Sequence, residues 1–323
     1  MASTPGEGSV DRLFAAAGGG FALACLFWIL APLGWPFELV RHFTGHLALT
    51  GLILASLALA RRRMRIAAGL VAAGLALCTA FFAAPFAPVT PRFDRPVVTV
   101  AVFNAHNDRA ALERFAAWAE AEQVDLLMLA EAHAVEVEAL EAIYAAWPHS
   151  LNSQTDVALA WTVYTTRIAV FSRAPLAVSD APAEAASGPY DRPRLHVTAQ
   201  SPIGPFHVSA LHPFPPMLPG AVLRQRTMFE ETAERAPADG RFIVFGDLNS
   251  TVWSPVFDRL PGRRAGDPRF RSTFPAFTSL GGIAIDHVLA GDALAVTHYE
   301  VGPDLGSDHR PVMARLRLIA DGP

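Results

Sequence analysis

Apolar and polar positions divide the chain into two unlike parts. Residues 13–33 carry no charge, a second apolar segment covers about 43–60, and a third covers 66–84. Each approaches the roughly 20 residues that cross a bilayer, and the second, which holds Thr44, His46 and Thr50, is the weakest. Three such segments in succession do not fit a secretory signal, which has one apolar core and a cleavage site. The pattern predicts an N-terminal membrane region of about three transmembrane helices over residues 1–84. A proline-rich linker follows over 85–96 and then a catalytic domain over 97–320.

Beyond the linker the pattern changes to short apolar runs separated by amphipathic stretches. Residues 97–103 and 124–130 read as buried strands. Between them Asn107 or Asp108 caps a helix whose apolar face is Leu112, Phe115, Ala116 and Ala119. An Ala/Glu-rich helix is expected up to about Trp147. Residues 157–171 and 195–211 are β-rich, the latter a hairpin broken near Pro202 and Pro205. Residues 221–235 read as helix and 242–245 as strand, and an apolar run ending in Asp286, a second apolar segment and another run entered from the Ser307-Asp308-His309 turn read as neighbouring closing strands. Alternating α and β segments of this kind build layered α/β domains.

Charge and composition refine the picture. Arg61-Arg62-Arg63-Met64-Arg65 lies between the second and third apolar segments and should stay cytoplasmic, so the third span leaves the cytoplasm. A multi-pass protein with a cytoplasmic N-terminus and an extracytoplasmic catalytic domain follows. The arginine and alanine bias suggests a GC-rich bacterial genome, hence an inner membrane. The chain has no lysine, which excludes Schiff-base chemistry and a P-loop lysine. Cys25 and Cys78 lie in apolar segments, leaving neither thiol nucleophile nor disulfide beyond them. From Pro96 onward 18 Arg face 26 Asp and Glu, a balance of minus eight, so the domain is no default polyanion binder.

The candidate chemistry lies where apolar runs end. Asn104, Glu131, His212, Asp247 with Asn249, Asp286, and Asp308 with His309 each close or flank a predicted strand. Taken singly, each is an ordinary turn former or helix-end charge. Six such endings with acid, amide and imidazole side chains predict convergence at one edge of a sheet pair. His309 and Asp286 stand out, because a carboxylate that holds one imidazole nitrogen fixes the tautomer at the other.

These motifs resemble the endonuclease/exonuclease/phosphatase superfamily: Phe103-Asn104, Leu129-Ala130-Glu131, Ala210-Leu211-His212, Gly246-Asp247-Leu248-Asn249, Ile285-Asp286-His287 and Ser307-Asp308-His309-Arg310-Pro311 appear in the family's order. The resemblance covers about residues 97–318 and implies a four-layer α/β/β/α sandwich with two central mixed sheets. It implies Mg²⁺-dependent hydrolysis of a phosphate ester, with Mn²⁺ as an alternative. Glu131 would be the main metal ligand, with Asn104 and Asp308 nearby. Asp247 and Asn249 would orient or deprotonate the water, Asp286 would hold His309 against the phosphate, and His212 would serve the departing oxygen.

Some positions depart from the family pattern. Ala130 stands where the family usually has Gln, so a hydrogen bond to Glu131 is missing or comes from His106 or His133. Arg263, Arg264, Arg269 and Arg271 form the domain's basic cluster, either a solvated loop or a phosphate or headgroup contact. A dinuclear metallophosphoesterase would need Asp-x-His and Gly-Asn-His segments that the chain lacks. A non-catalytic membrane-tethered binding module would not need Glu131, Asp247 and His309 together. The expected partners are a lipid bilayer, through the N-terminal helices, and a phosphoester substrate, favoured as a phosphodiester and carried by nucleic acid or a lipid headgroup. Apolar Phe214, Met217 and Leu218 beside His212 suit a membrane-facing lip.

Overall fold

A computed structural model of the chain describes residues 7–90, 96–159, 162–178, 190–278 and 281–319. It divides into two units, Met1–Ala84 with Trp253–Pro255, and Pro85–Val252 with Val256–Pro323. Residues 91–95 of the expected linker lie outside the described residues.

The first unit is built on three helices, α1 (Glu7–Leu30), α2 (Thr44–Ala60) and α3 (Met64–Phe82). Leu23, Ile29, Leu49, Ile53, Ile66 and Leu75 are exposed on them, so they are apolar around the whole circumference, as lipid-facing helices are. Val10–Leu33, Phe37–Ala60 and Met64–Phe82 are each long and apolar enough to cross a membrane. The second begins earlier than the apolar pattern implies, because a 3-10 segment, Phe37–Phe43, leads into α2. Small residues let α2 and α3 approach: Ala48, Gly51, Ala55 and Ala58 are buried, and a Cβ on Gly51 would stand 3.3 Å from Gly74 Cα. Asp11 pairs with Arg63 at 2.8 Å and Arg61 at 3.5 Å, so the start of α1 and the basic α2–α3 turn share one end.

The second unit is a pair of mixed six-stranded sheets with helices. One sheet contains β1 (Val98–Asn104), β2 (Leu126–Ala130), β3 (His149–Leu159), β4 (Thr162–Ser172), β11 (Leu294–Val301) and β12 (Val312–Leu318), in the order β11-β12-β1-β2-β4-β3. The other contains β5 (Leu176–Val178), β6 (Arg194–Ala199), β7 (Phe206–Leu211), β8 (Phe242–Asp247), β9 (Arg263–Arg264) and β10 (Asp286–Ala290), in the order β5-β6-β7-β8-β10-β9. Each sheet has one parallel pair, β1 with β2 and β7 with β8, and is otherwise antiparallel. A parallel pair needs a crossover. Helices α4 (Arg109–Ala121) and α6 (Pro219–Arg235) supply the two, and the short α5 (Val137–Ile143) follows β2.

Alternation along the strands builds the layers. Val98, Val100 and Val102 of β1 face a core shared with Val208 and Ala210 of β7, Ile243 and Phe245 of β8, and Val288 of β10. Ala101 and Phe103 point the other way, onto Leu112 and Phe115 of α4 and Leu140 of α5. The Asp108 carboxylate caps α4 by accepting from Ala111 N at 2.8 Å. The Ala/Glu-rich helix ends at Ile143, short of Trp147. Tyr144 Oη donates to Leu112 O and Trp147 Nε1 to Val124 O, so both rings are pinned into the core by a turn that leaves the helix axis. Helix, two sheets and helices together form the α/β sandwich.

Candidate active site

Strand direction places the chemistry. β1, β2, β7 and β8 run toward one edge of the sandwich, and β10 and β12, antiparallel to their neighbours, begin at it. Asn104 pairs in register with Ala130, one residue before Glu131, and Asp286 lies directly opposite Asp247. Asn104, Glu131, His212, Asp247, Asn249, Asp286, Asp308 and His309 therefore share that edge. Backbone strain collects there too: Glu131 has φ 52° and Asn249 φ 47°, a left-handed conformation that costs non-glycine residues about 1 kcal/mol or more and is concentrated at functional sites.

Hydrogen bonds lock the set together. Asn104 Nδ2 donates to Asp247 Oδ2 at 2.9 Å, joining the two sheets across the edge, and Ser307 Oγ donates to Asn104 O at 2.8 Å. Asp247 Oδ1 accepts from Asn249 N at 2.9 Å, a turn that fixes the Asn249 side chain, whose Nδ2 donates to Pro213 O at 3.0 Å. His309 Nδ1 lies 2.8 Å from Asp286 Oδ2, and its Nε2 lies 3.8 Å from Asp247 Oδ2. The amides of Ile285 and Asp286 donate to Thr273 Oγ1, anchoring the carboxylate's backbone. His212 Nε2 lies 3.5 Å from both Glu131 Oε1 and Asp247 Oδ2.

The electrostatics assign protons. Burial disfavours the charged form of His309, but the Asp286 and Asp247 carboxylates outweigh it and raise the imidazole to about 10, so it is an imidazolium donating to Asp286 at neutral pH. Burial pushes Asp247 up, yet His309 and His212 hold it well below the usual carboxylate range. Burial opposes the charge on Glu131, and His212 with Arg192 still keep it below the ordinary glutamate value.

The site suits a cation. Glu131, Asp247, Asp286 and Asp308 bring four carboxylates, against which stand Arg192 and the His309 imidazolium. Ligand atoms of Asp247, Asp286 and His309 lie within 4.8 Å of one another, a group that could hold a metal. A protonated His309 hydrogen-bonded to Asp286 has no lone pair to give, so that cluster reads better as a proton-bearing pair. Glu131 and Asp308 are partly open to solvent, and both face His106, whose Nδ1 lies 3.9 Å from Glu131 Oε2 and 3.3 Å from Asp308 Oδ1. With the Asn104 amide beside them they form an all-oxygen donor set, the kind a hard divalent ion prefers. At 3.9 Å His106 does not make the hydrogen bond to Glu131 that Ala130 cannot make; the Asn104 side chain bonds Glu131 instead, and His133 feels the Glu131 charge without a hydrogen bond to it among the described residues.

Other residues carry no legible motif. Arg192 is buried, with a guanidinium nitrogen 2.9 Å from both His212 ring nitrogens and 3.8 Å from Glu131 Oε1. Only its position in an Arg-x-Arg step before a predicted strand could have pointed to it. Behind the Asp247–Asn249 turn, His287 is fully buried. Arg264 Nε donates to its Nδ1 at 2.7 Å, and its Nε2 lies 2.8 Å from Ser250 O, which makes Nε2 the protonated nitrogen. The basic cluster is not one surface: Arg263 and Arg271 are exposed, while Arg264 and Arg269 are engaged within the fold. Arg264 is buried and also donates to Gly266 O and Tyr299 Oη, Arg269 is held by Asp267, and Arg263 pairs with Asp292. β9 pairs with β10, Leu289 opposite Arg264, and that register carries Arg264 inside.

Comparison with known proteins addresses the family and the fold. The model of the "Endonuclease/Exonuclease/phosphatase family" matches residues 101–309. Among solved structures, an endonuclease/exonuclease/phosphatase from Beutenbergia cavernae is 24% identical with a TM-score of 0.56, over 69% of this chain and 72% of that one. One from Bacteroides vulgatus is 16% identical with a TM-score of 0.50, over 70% and 100%. A functionally unknown conserved protein from Enterococcus faecalis is 15% identical with a TM-score of 0.52, over 69% and 100%. These likenesses are of fold, and no curated protein matches the sequence. The match spans most of the chain and includes every strand end at the site edge, so the protein belongs to the endonuclease/exonuclease/phosphatase family.

Proposed function

We propose that the chain is a membrane-anchored, divalent-metal-dependent phosphoesterase that hydrolyses a phosphate ester, favoured as a phosphodiester, with an activated water. The observation that carries this reading is the meeting of Asn104, Glu131, Asp247, Asp286 and His309 at one sheet edge, with Asn104 bonded to Asp247 and His309 to Asp286. In the proposed arrangement residues 1–84 anchor, 85–96 link and 97–320 catalyse. The basic α2–α3 turn is cytoplasmic, and the catalytic unit lies outside the cytoplasm.

In this reading Asp247, fixed through Asn104 and Asn249, accepts a hydrogen bond from the attacking water and holds its lone pair toward phosphorus. As the new P–O bond forms, the water's proton becomes acidic and passes to that carboxylate. The His309 imidazolium, aimed by Asp286, donates from Nε2 to a phosphoryl oxygen where charge builds in the transition state. His212, with Arg192 against its ring, faces the departing oxygen, and the P–O bond opposite the water breaks. A divalent ion such as Mg²⁺, held by Glu131, Asp308 and Asn104, would supply Lewis-acid stabilisation of phosphoryl charge.

The test measures hydrolysis of bis(p-nitrophenyl) phosphate by the full chain in detergent, with Mg²⁺ or EDTA, beside Asp247→Asn. Turnover that needs Mg²⁺ and falls by about 10²-fold or more in the variant is expected. Turnover equal in the variant sinks the reading.

A further inference from the structure

Outside the machinery, one surface feature lacks an explanation. Among the described residues of 97–319, seven large apolar side chains are exposed, and five of them, Met217, Leu218, Leu223, Phe270 and Phe277, belong to the segments at the edge that carries the site. Met217 and Leu218 follow His212, where β7 ends, and Leu223 lies in the first turns of α6. Phe277 closely follows Phe274, whose ring lies 5.0 Å from that of His309. Phe270 comes three residues before Thr273, whose hydroxyl holds the Asp286 amide. The remaining two lie elsewhere: Val178 at mid-height of edge strand β5, and Ile319 beyond the far end of β12. Scattered exposed apolar residues are ordinary, but an accumulation on one edge, with Phe277 84% and Met217 64% exposed, marks an interaction surface.

We infer that this edge docks on a lipid bilayer, Met217, Leu218 and Leu223 inserting on one side of the site and Phe270 and Phe277 on the other, so that the ester turned over is carried by a membrane lipid. The inference rests on the membrane-anchored phosphoesterase reading. The bilayer is the occupant because it is always within reach. Residues 83–96 span at most about 50 Å fully extended, and the helices before them are long and apolar enough to cross a membrane. The charge balance of minus eight from Pro96 onward argues against adsorption to anionic lipid by charge, so docking is apolar and insensitive to salt.

The experiment uses the full chain with Cys25→Ala and Cys78→Ala, carrying Phe277→Cys, Met217→Cys or, as the control, Ile319→Cys. Each single thiol is labelled with bimane, and the protein is placed in phosphatidylcholine nanodiscs with or without doxyl-labelled lipid. Quenching at 277 and 217 several-fold above that at 319, equal at low and high salt, is expected. Quenching no greater than at 319, or abolished by salt, overturns the docking surface. A second arm keeps the native cysteines and compares wild type with Met217→Ser/Phe277→Ser on phosphatidylglycerol nanodiscs and on bis(p-nitrophenyl) phosphate. Tenfold or greater loss on the bilayer with the soluble ester unaffected is expected, and unchanged bilayer turnover overturns the proposal. Plasmid DNA nicked while the phospholipid stays intact overturns the lipid assignment. If wild type cleaves no ester while 277 is quenched, the phosphoesterase reading fails and the docking surface stands.

Discussion

Asp286 and His309 form the best-defined unit of the site, 2.8 Å apart and both buried. Asp286→Asn keeps the shape and removes the charge that aims the imidazole, and the expected loss is about 10²- to 10⁴-fold in kcat with little change in KM. An equal rise in KM instead would mean that the pair binds substrate rather than acting in the transition state. Glu131 makes a separate prediction that does not depend on turnover. Mg²⁺ at a hundred times its Kd should stabilise the folded chain by about 2.7 kcal/mol, read as a rise in Tm, and Glu131→Ala should lose that rise. His287 carries the pH dependence. Burial, and then the adjacent Arg264, push its pKa well below the ordinary histidine value, while the Ser250 carbonyl and the Asp247 charge only partly oppose this. Below pH about 6.5 the unfolded imidazole takes a proton that the folded one refuses, so the unfolded state binds more protons and stability is lost as the pH is lowered. Relative to His287→Gln, wild type should lose up to about 1.4 kcal/mol per pH unit in that range, measured by unfolding at stepped pH. The strand-end residues were legible because acid, amide and imidazole groups recur where apolar runs stop. Arg192 and the Arg264–His287 pair were not, since their partners are distant in sequence and only register brings them together.

At the level of elements, the site depends on how closely β7 and β8 run. Gly246 has φ 152°, and a Cβ there would stand 1.8 Å from Leu211 O, one residue before His212. Gly246→Ala must push the two strands apart where His212 and Asp247 face each other. It should destabilise the fold by more than about 4 kcal/mol, seen as lost soluble expression or a large fall in Tm. A variant of near-normal Tm would show that the strand pair tolerates separation. The apolar runs of β1, β2 and β8, the capped α4 and the hairpin of β6 and β7 were readable directly, because each buries one or both faces, whereas β10 begins at Asp286, where the sequence reads as the end of an apolar run. The first half of β3 was not. Ser150, Asn152, Ser153, Gln154, Thr155 and Asp156 show no apolar alternation, and at the sheet's edge their strand is held by an eleven-residue backbone ladder to β4. The short β5 and β9 are legible from pairing alone for the same reason.

For the whole molecule, three helices that expose apolar side chains all round predict that the chain stays with the membrane fraction after an alkaline carbonate wash. Protease added to spheroplasts should digest the catalytic unit, and protection of that unit would reverse the proposed orientation. Length and composition suffice to read three helices long and apolar enough to cross a membrane, whereas the ester was not legible, since nucleic acids and lipid headgroups offer the same phosphate. The central claim, that the converged edge delivers a water to a phosphate ester, is tested most directly by isotope. Wild type and Glu131→Ala, as full chains with Mg²⁺, would turn over a phosphodiester in oxygen-18-labelled water, with the product phosphorus analysed by mass spectrometry. The account predicts label in the product phosphate with wild type and none with the variant. Label equal in both, or product phosphate free of label despite turnover, would contradict it.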